Sequence, residues 1–591
     1  MILQELNKYY ERKIAETESE MPPYGTSVEG ISFALIIDQK GQLQGVEDLR
    51  EEDNKKLIPR KIPVPAAVTR TSGVKANYLW DKSSYVLGAD GDGAHEQNKL
   101  RFDAFCEQVS LVSGNVDDAG IVALIQFLNS WDCERSAEEI SQYIPWETVA
   151  GTNLVFRLDG ERGYIHTCSN AQQAWNRYCS NTEGIPTGRC LISGQEEQPL
   201  ARVHTPIKGV LGGQTSGGYI VSYNASAFIS YKRDKADIAE SSAFAYTTAL
   251  NFLLRRGSRQ KVTIGDTTIT FWAEHQSIAE ELFAEFFAPE ESIVVETSTE
   301  DDQQTSGKIF DLLQNIRSGK RAVDIIPDLD ESVRFFFLGL APNASRLAIR
   351  FWLVGTVGDF LDNVSKHFND LAIARQFDSE PEFPPLWRLL CQTATLGKSE
   401  NILPVLAGGV TKAMLNGSMY PQSLLPAVLG RIRAEGEVGY FRAALLKAYL
   451  IRNKQMEIPM YYDPDRKDVP YVLGGLFAVL EKAQADAIPG ANATMKDRFF
   501  ASAPATPARI FPMLLKNSAN HVAKLRKDPT KTGLAVIFDK SIQDAVASLS
   551  NFPQTMLPEE QGLFMIGYYQ RMKDFYTSKK VSAEKAEEKQ P

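Results

Sequence analysis

Apolar and polar residues follow two different periods along the first part of the chain. Alternation with a period of two over Ile31–Ile37 and Leu154–Leu158 predicts strands, because successive strand side chains point to opposite faces. Apolar residues recur at three- and four-residue spacing over Asn98–Val112 and Ser241–Leu254, which predicts helices. We therefore expect an α+β N-terminal domain over residues 1–300.

An acidic, polar segment, Glu296–Gly307, has the composition of a linker and predicts a domain boundary. Beyond it, Lys308–Ser318 has a helical pattern. Two aromatic-rich runs, Arg334–Leu340 and Arg346–Val354, flank the turn-forming sequence Ala-Pro-Asn-Ala-Ser. We expect a helix and a β-hairpin in a connecting domain that covers residues 308–455.

Strand patterns disappear after Val357, and helical spacing with Pro and Gly punctuation continues to the end of the chain. The last part of the chain predicts four helices, over Tyr471–Gln484, Ala505–Lys527, Leu534–Ser550 and Pro558–Thr577. We expect an all-α C-terminal region that ends in a helical bundle over residues 460–591.

The second helix of this bundle has an apolar face and carries lysines away from it, at Lys516, Lys524 and Lys527. Two interpretations are open. The lysines contact nucleic-acid phosphates, or they only keep the outer face of the helix solvated.

The charge of the chain is unevenly distributed. Its 591 residues have a formal net charge of -10, which by itself argues against binding to phosphates. From Lys398 onward, however, there are 26 Lys plus Arg and 19 Asp plus Glu, a net charge of +7 that leaves -17 for the first 397 residues. A chain of this length predicts two to four domains, and its asymmetry suits a subunit of a larger assembly.

The N-terminal sequence MILQELNKYY lacks the basic and apolar regions of a signal peptide. The longest nearly apolar run, Tyr471–Leu480, is shorter than the roughly 18 residues that a membrane-spanning helix needs. Six scattered cysteines do not suggest a disulfide framework. We expect a cytoplasmic protein with no membrane segment.

Sequence motifs of catalysis do not occur: there is no GxSxG or HExxH, and the six histidines are not paired at helical spacing. We expect a protein that is not an enzyme. The alternative is a DNA-processing enzyme with an unrecognised site around His166, Glu183 and His204.

Zinc ligation by Cys168, Cys179 and Cys190 together with a nearby histidine is a second alternative. Structural zinc sites pair their cysteines as CxxC, whereas these cysteines are spaced eleven residues apart. We therefore expect buried free thiols, and neither a metal nor a cofactor.

A glycine-rich loop at residues 208–218, KGVLGGQTSGG, has the flexibility to approach an anion closely. It is not a Walker A motif, because Lys208 precedes the glycines instead of following the last one. The loop can still present Lys208, Gln214 and Ser216 to a nucleic-acid backbone or base edge.

A second polar segment runs from Arg70 to Trp80 and mixes cations, hydroxyls, an amide and aromatic rings. Lys75 can neutralise a phosphate, Asn77 can pair with adenine, Tyr78 can stack on a base, and Ser72 can donate a hydrogen bond. Taken alone, these residues also suit an ordinary polar surface loop.

The continuation of this segment, NYLWDKSSYVLG, resembles the N-terminal signature of the large subunit of type I-C CRISPR Cascade complexes, the Csd family. The resemblance spans nearly the whole chain. Further similar strings follow in order: CLISG from Cys190, HTPIKGV from His204, GGQTSG from Gly212, FAYTTALN from Phe244, LGLAPNASR from Leu338, YPQSLL from Tyr420 and YVLGGLFAVLEK from Tyr471.

The resemblance implies a subunit of a complex in which CRISPR RNA reads the target and the protein reads a short TTC-like flanking motif, the PAM, in duplex DNA. Its implied partners are CRISPR RNA, target DNA with its displaced strand, the backbone and handle-binding subunits, small subunits similar to its own C-terminal part, and a helicase-nuclease recruited in trans. A purely structural scaffold subunit is the other alternative.

The family supplies no contact residues here, so the candidates come from residue chemistry within family-like segments. They fall into three groups, together with the C-terminal lysines. The first is Ser72, Lys75, Asn77 and Tyr78; the second is Lys208, Gln214 and Ser216; the third is Asn224, Lys232 and Arg233. We expect the first two groups to act together on DNA.

Overall fold

The computed structural model describes residues 1–16, 21–53, 56–68, 70, 73–91, 96–180, 185–222, 237–287, 314–315 and 324–587, with side chains up to residue 576 except those of residues 180 and 286. The chain divides into two compact units. The first comprises residues 1–207 and 219–252, and the second comprises residues 208–218 and 253–591. The glycine-rich loop therefore packs with the second unit, although the segments on both sides of it belong to the first.

The first unit mixes helices and strands. Its strands are β1 (Thr26–Ile31), β2 (Phe33–Ile37), β3 (Leu43–Asp48), β4 (Glu51–Asp53), β5 (Lys56–Ile58), β6 (Arg60–Pro65), β7 (Trp80–Lys82), β8 (Asn153–Leu158), β9 (Thr187–Gly188) and β10 (Gln198–Pro199). Its helices are α1 (Ile2–Ala15), α2 (Ser83–Val86), α3 (Glu96–Ser113), α4 (Ala119–Ser130), α5 (Ser136–Ser141), α6 (Trp146–Val149), α7 (Ser169–Ser180) and α8 (Glu240–Leu253). The two strands and two helices predicted here are confirmed, with small shifts at their ends.

A four-stranded sheet in the order β3-β2-β8-β7 organises this unit, with β2 and β8 parallel and the other pairs antiparallel. Phe33 and Leu35 of β2 join a hydrophobic core with α3 and α4. The intervening Ala34 points to the opposite face, where it packs with residues of the β1–β6 ribbon. The segment between β6 and β7 thus leads from this ribbon to the edge of the sheet.

The second unit begins with strands and continues with helices. Its strands are β11 (Lys261–Ile264), β12 (Thr267–Ala273), β13 (Arg334–Asn343) and β14 (Arg346–Thr356). Its helices are α9 (Ala279–Phe287), α10 (Val357–Leu371), α11 (Leu386–Cys391), α12 (Pro404–Asn416), α13 (Leu424–Glu435), α14 (Tyr440–Lys454), α15 (Val469–Ala487), α16 (Met495–Phe499), α17 (Pro507–Lys527), α18 (Thr532–Ala547) and α19 (Pro558–Glu587). The predicted hairpin is confirmed as β13 and β14, and all four predicted C-terminal helices are present.

Strands β11 to β14 form an antiparallel sheet in sequential order. One face of it carries a phenylalanine cluster, in which the rings of Phe283 and Phe335 lie 4.8 Å apart and those of Phe337 and Phe360 lie 4.9 Å apart. These rings attach α9 and α10 to the sheet and begin a core that continues into the helices.

The polar segment Glu296–Gly307 predicted a domain boundary near residue 300, but the structure does not divide there. β12 pairs with β13, so one sheet contains strands from both sides of that segment. The division falls instead between Phe252 and Leu253. A polar composition is typical of linkers between domains, but it is equally suited to a long connection between two paired strands of one sheet. The segment itself, and most of the predicted helix at Lys308–Ser318, lie outside the described residues.

The C-terminal helices do not form a separate bundle over residues 460–591. Helices α15, α16, α17 and α19 contribute to one hydrophobic core with the helices before them, while the buried residues of α18 pack in a smaller cluster with α15 and α17. Gly562 of α19 faces Leu425 and Leu450, and the Tyr569 hydroxyl donates a hydrogen bond of 2.7 Å to the carbonyl oxygen of Ala374. These contacts across residue 460 revise the predicted boundary. The sequence did not reveal them, because helical periodicity identifies helices but not the partners of their apolar faces.

The predicted fold class is confirmed: an α+β N-terminal region precedes a mostly helical C-terminal region. Among the described residues, no helix combines the length and apolarity needed to cross a membrane.

Candidate nucleic-acid interface

The loop before β7 turns inward at its C-terminal half. Asn77 is buried, and its side-chain oxygen accepts a hydrogen bond of 2.9 Å from the backbone N–H of Val68. Tyr78 is also buried; its hydroxyl hydrogen-bonds to Ser113, and its ring stacks on Trp175 at 5.2 Å. The Asn77 side-chain oxygen and the Tyr78 hydroxyl thus already have partners inside the protein. We therefore withdraw Asn77 and Tyr78 as DNA contacts.

Arg70 anchors the outer half of the same loop. Its guanidinium pairs with the buried carboxylate of Asp81, donates through Nε to the Lys75 carbonyl at 2.8 Å, and lies 4.1 Å from the centre of the Tyr85 ring. The Lys75 side chain is exposed. Ser72 lies outside the described residues, so Lys75 is the member of the first group that remains a candidate phosphate contact.

The glycine-rich loop crosses the second unit's sheet. Leu211 donates its backbone N–H to the Thr268 hydroxyl on β12 at 3.1 Å. At Gly209, where φ is +88°, a Cβ atom would lie 2.4 Å from the carbonyl oxygen of Leu254. Glycine is therefore required for this close approach.

The middle of this loop faces solvent. Residues 211–216 are all exposed, including Gln214 and Ser216, and Lys208 is exposed at the start of the loop. At the far end, a Cβ atom on Gly218 would lie 3.0 Å from the Leu347 side chain. The loop is thus fixed at both ends and presents amide and hydroxyl groups between them.

Cations that we did not select from the sequence flank both ends of the loop. Arg255 and Arg256 are exposed and directly follow Leu254, which packs against Gly209. At the other end, the backbone of Arg346 lies beside Gly218. The dense basic string LLRRGSRQK around Arg255 was a visible signal for the first pair. A polar loop with cations at both ends suits a DNA backbone.

The third group, Asn224, Lys232 and Arg233, lies outside the described residues. The loops that carry the first and second groups belong to different compact units. Joint action of the two loops therefore stays a prediction.

Helix α17 presents a basic stripe. Lys516, Lys524 and Lys527 are exposed, as is Arg509 in the first turn. At 100° per residue these four side chains fall within roughly 80° of the helix circumference, and they extend over about 27 Å of its length. The apolar face, which includes Phe511, Val522 and Leu525, is buried. The stripe is long enough to follow several phosphates of one strand, so its three lysines stay candidates.

His166 and His204, the histidines of the alternative enzyme site, are each buried with a different partner. His166 is buried, with Nε2 hydrogen-bonded to the carbonyl oxygen of Pro63 at 3.1 Å, and buried His204 pairs through Nδ1 with the Tyr246 hydroxyl at 2.5 Å. Burial lowers the pKa of each to about 4. Glu183 lies outside the described residues. Neither His166 nor His204 therefore presents an exposed imidazole to a substrate.

Cysteines of the zinc alternative are free thiols, and Cys190 is buried. Within the described part of the chain, no group of three or more His, Cys, Asp or Glu side chains is arranged to hold a metal ion.

Comparison with known proteins gives one assignment. No curated protein matches the sequence significantly. The family model described as CRISPR-associated protein (Cas_Csd1) matches residues 6–576, nearly the whole chain, in agreement with the resemblance found from the sequence strings. The chain therefore belongs to the Csd1 family of CRISPR-associated proteins and is a Cascade-type subunit.

Proposed function

We propose that the chain is the large subunit of a type I-C Cascade complex, and that it reads a TTC-like flanking motif in duplex DNA. In this role it helps to open the duplex, holds the displaced strand and offers a surface to a helicase-nuclease. CRISPR RNA in the same complex reads the rest of the target by base pairing.

The observation that carries this proposal is the exposed glycine-rich loop with cations at both ends. Lys208, Arg255 and Arg256 provide exposed positive charge at one end, and at the other end the backbone of Arg346, a partly buried cation, lies beside Gly218. Gln214 and Ser216 between them carry the donors and acceptors that base edges require. Phosphate contacts fix the register of the loop on DNA, and the polar side chains between them supply sequence preference.

The basic stripe on α17 supports the second part of the role. A single strand released from a duplex is held by cations that follow its backbone. Arg509, Lys516, Lys524 and Lys527 form such a row, while Lys75 on the first unit offers a further phosphate contact.

The proposed action is non-covalent. Sequence motifs of hydrolysis are missing, and the buried histidines have protein partners. We propose that the chain binds and positions nucleic acid and leaves strand cleavage to the helicase-nuclease.

The phosphate-binding part is tested with the assembled complex carrying Arg255→Ala plus Arg256→Ala. Affinity for target duplex is measured between 50 and 200 mM salt, with Arg498→Ala, which changes an exposed arginine on α16, as the matched control. Removing one phosphate contact flattens the salt dependence by about 0.9 in log–log slope. Compared with the wild type, the double variant should bind targets with correct flanks and targets with scrambled flanks more weakly, by the same factor in both cases. An unchanged slope, or an equal weakening in the control, contradicts the proposal.

A further inference from the structure

A cavity of about 610 Å³ opens on the second unit. Helices α15, α16 and α19 line it together with residues 376–377 and 437–439. Its volume falls within the roughly 300–1,000 Å³ that is usual for small-molecule sites. The function proposed above, which relies on the glycine-rich loop and the α17 stripe, does not use it.

Four aromatic side chains line this cavity. Tyr568 and Tyr569 are buried and fixed, since Tyr568 packs on Phe500 with ring centres 4.7 Å apart and Tyr569 donates its hydroxyl hydrogen bond to Ala374. Phe377 and Tyr576, by contrast, are 60% and 56% exposed. Rigid inner rings with open outer rings are suited to stacking on a flat ligand that enters from solvent.

Polar groups in the wall suit one class of flat ligand. Glu481 accepts a hydrogen bond of 2.9 Å from Tyr568, and its other oxygen has no hydrogen-bond partner within the described residues. Burial raises the pKa of this carboxyl group. A carboxyl oxygen at the wall can accept a hydrogen bond from the exocyclic amino group of a base.

Two ammonium groups belong to the same wall. Lys496 lies 5.7 Å from the centre of the Tyr568 ring, and Lys573 donates to the carbonyl oxygen of Gln376 at 2.9 Å. They can also contact the phosphates on either side of a bound base.

A cationic ligand suits the cavity less well. Its carboxylates, Glu437 and Glu481, are matched by Lys496 and Lys573, so the four charged side chains sum to zero. Lys496 already lies near both the Tyr568 ring and Glu481. A neutral aromatic group joined to an anionic backbone complements this wall better than a second cation does.

We propose that the cavity binds one unstacked nucleobase of single-stranded DNA, between the aromatic rings and with a base amino group towards Glu481. The site deepens the proposed function, on which it rests, because it gives the displaced strand a base contact in addition to phosphate contacts. Stacking on protein aromatic rings tolerates different sequences, as holding a displaced strand requires.

The test uses the full-length chain and two fluorescent 12-nucleotide strands of mixed sequence, one intact and one with abasic residues at its central positions. The variant Phe377→Ala plus Tyr576→Ala removes the two exposed rings, and Tyr461→Ala, a 65% exposed tyrosine outside the cavity, is the matched control. We expect the wild type and the control to bind the intact strand about tenfold more tightly than the abasic strand. The double variant should lose this difference and bind both strands as the wild type binds the abasic one.

Any of four outcomes would overturn the inference. If the double variant keeps the tenfold difference, or weakens both strands equally, the rings do not hold a base. If the wild type binds both strands equally, and Lys516→Glu plus Lys524→Glu weakens both, the base site fails while the strand-holding role stands. If the wild type binds neither strand, that part of the proposed function fails as well. Thermal unfolding at the wild-type temperature verifies that each variant is folded.

Discussion

Arg70 places its guanidinium against the buried carboxylate of Asp81, and the same carboxylate oxygen accepts the backbone N–H of Asn77 at 2.9 Å. One charge pair thus closes the loop before β7 and holds Asn77 in the core. Arg70, a cation in a segment whose composition suggests DNA binding, stabilises the fold. Lys75, five residues later, is free to face a phosphate because its carbonyl oxygen, not its ammonium group, contacts Arg70.

Replacing Arg70 by alanine should therefore destabilise the first unit. The change leaves Asp81 buried without its cation, which we expect to lower the free energy of unfolding by about 1–3 kcal/mol, less than for a fully buried pair because Arg70 is partly exposed. Lys75→Ala should change it by less than about 0.5 kcal/mol. Urea unfolding of both variants makes the comparison, and equal stability of the two would contradict the assigned role of Arg70.

Helices α15 and α19 approach each other closely at two glycines, and adding a side chain at either should destabilise the protein. A Cβ atom on Gly567 would lie 2.3 Å from the Tyr471 carbonyl oxygen, and one on Gly474 would lie 2.0 Å from that of Phe564. We expect Gly567→Ala to destabilise the second unit by about 1–3 kcal/mol, because two backbones must separate.

The matched control is Gly430→Ala on α13, where a Cβ atom would meet nothing within 4 Å. It should stabilise the protein by about 0.5–1 kcal/mol through helix propensity. If the thermal unfolding midpoints of the two variants move in the same direction, the close contact of α15 and α19 at Gly567 is wrong.

Acid should weaken the first unit through its buried histidines. Burial lowers the pKa of His166 and His204 from 6.5 to about 4. Between these values the unfolded chain binds protons that the folded chain does not, so stability is full above pH 6.5 and falls as the pH decreases towards 4.

Each histidine should contribute a loss of about 2 kcal/mol between pH 7 and pH 5. Urea unfolding at the two pH values measures the loss, and His204→Gln should remove about half of the part that the two histidines contribute. A variant with the same pH dependence as the wild type would mean that folding does not lower the pKa of His204.

The basic stripe on α17 should be detectable as charge. Lys516→Glu plus Lys524→Glu should weaken single-stranded DNA binding and lower the salt slope by about 0.7 for each phosphate that the stripe no longer neutralises. Lys467→Glu alters an exposed lysine outside the stripe and serves as the control. If Lys467→Glu weakens the binding of single-stranded DNA equally, the effect depends on the overall charge of the protein and not on a binding surface at the α17 stripe.

Local patterns predicted the elements of this fold but not their partners. The β13–β14 hairpin and the C-terminal helices follow from alternation and helical spacing, which depend on neighbouring residues. The pairing of β12 with β13 across a long polar segment, and the packing of Gly562 against Leu425 and Leu450, depend on residues far apart in the chain.

The candidate site shows the same limit. Composition alone could not separate Asn77 and Tyr78 from Lys75, because their partners, Val68, Ser113 and Trp175, are not their neighbours in the sequence. The packing of the glycine-rich loop beside Arg255 and Arg346 likewise appears only in three dimensions, although the basic string at Arg255 is visible in the sequence.

Discrimination between flanking sequences tests most directly whether the glycine-rich loop reads DNA. The assembled complex is prepared with wild-type chain and with Gln214→Ala plus Ser216→Ala, and its affinity is measured for targets with a correct or a scrambled flank. Each base-edge contact is worth about 1–3 kcal/mol, so the variant should lose tenfold or more of the preference for the correct flank while its affinity for the scrambled flank changes little. If the variant complex assembles normally and keeps its full preference, the glycine-rich loop does not read the flanking sequence.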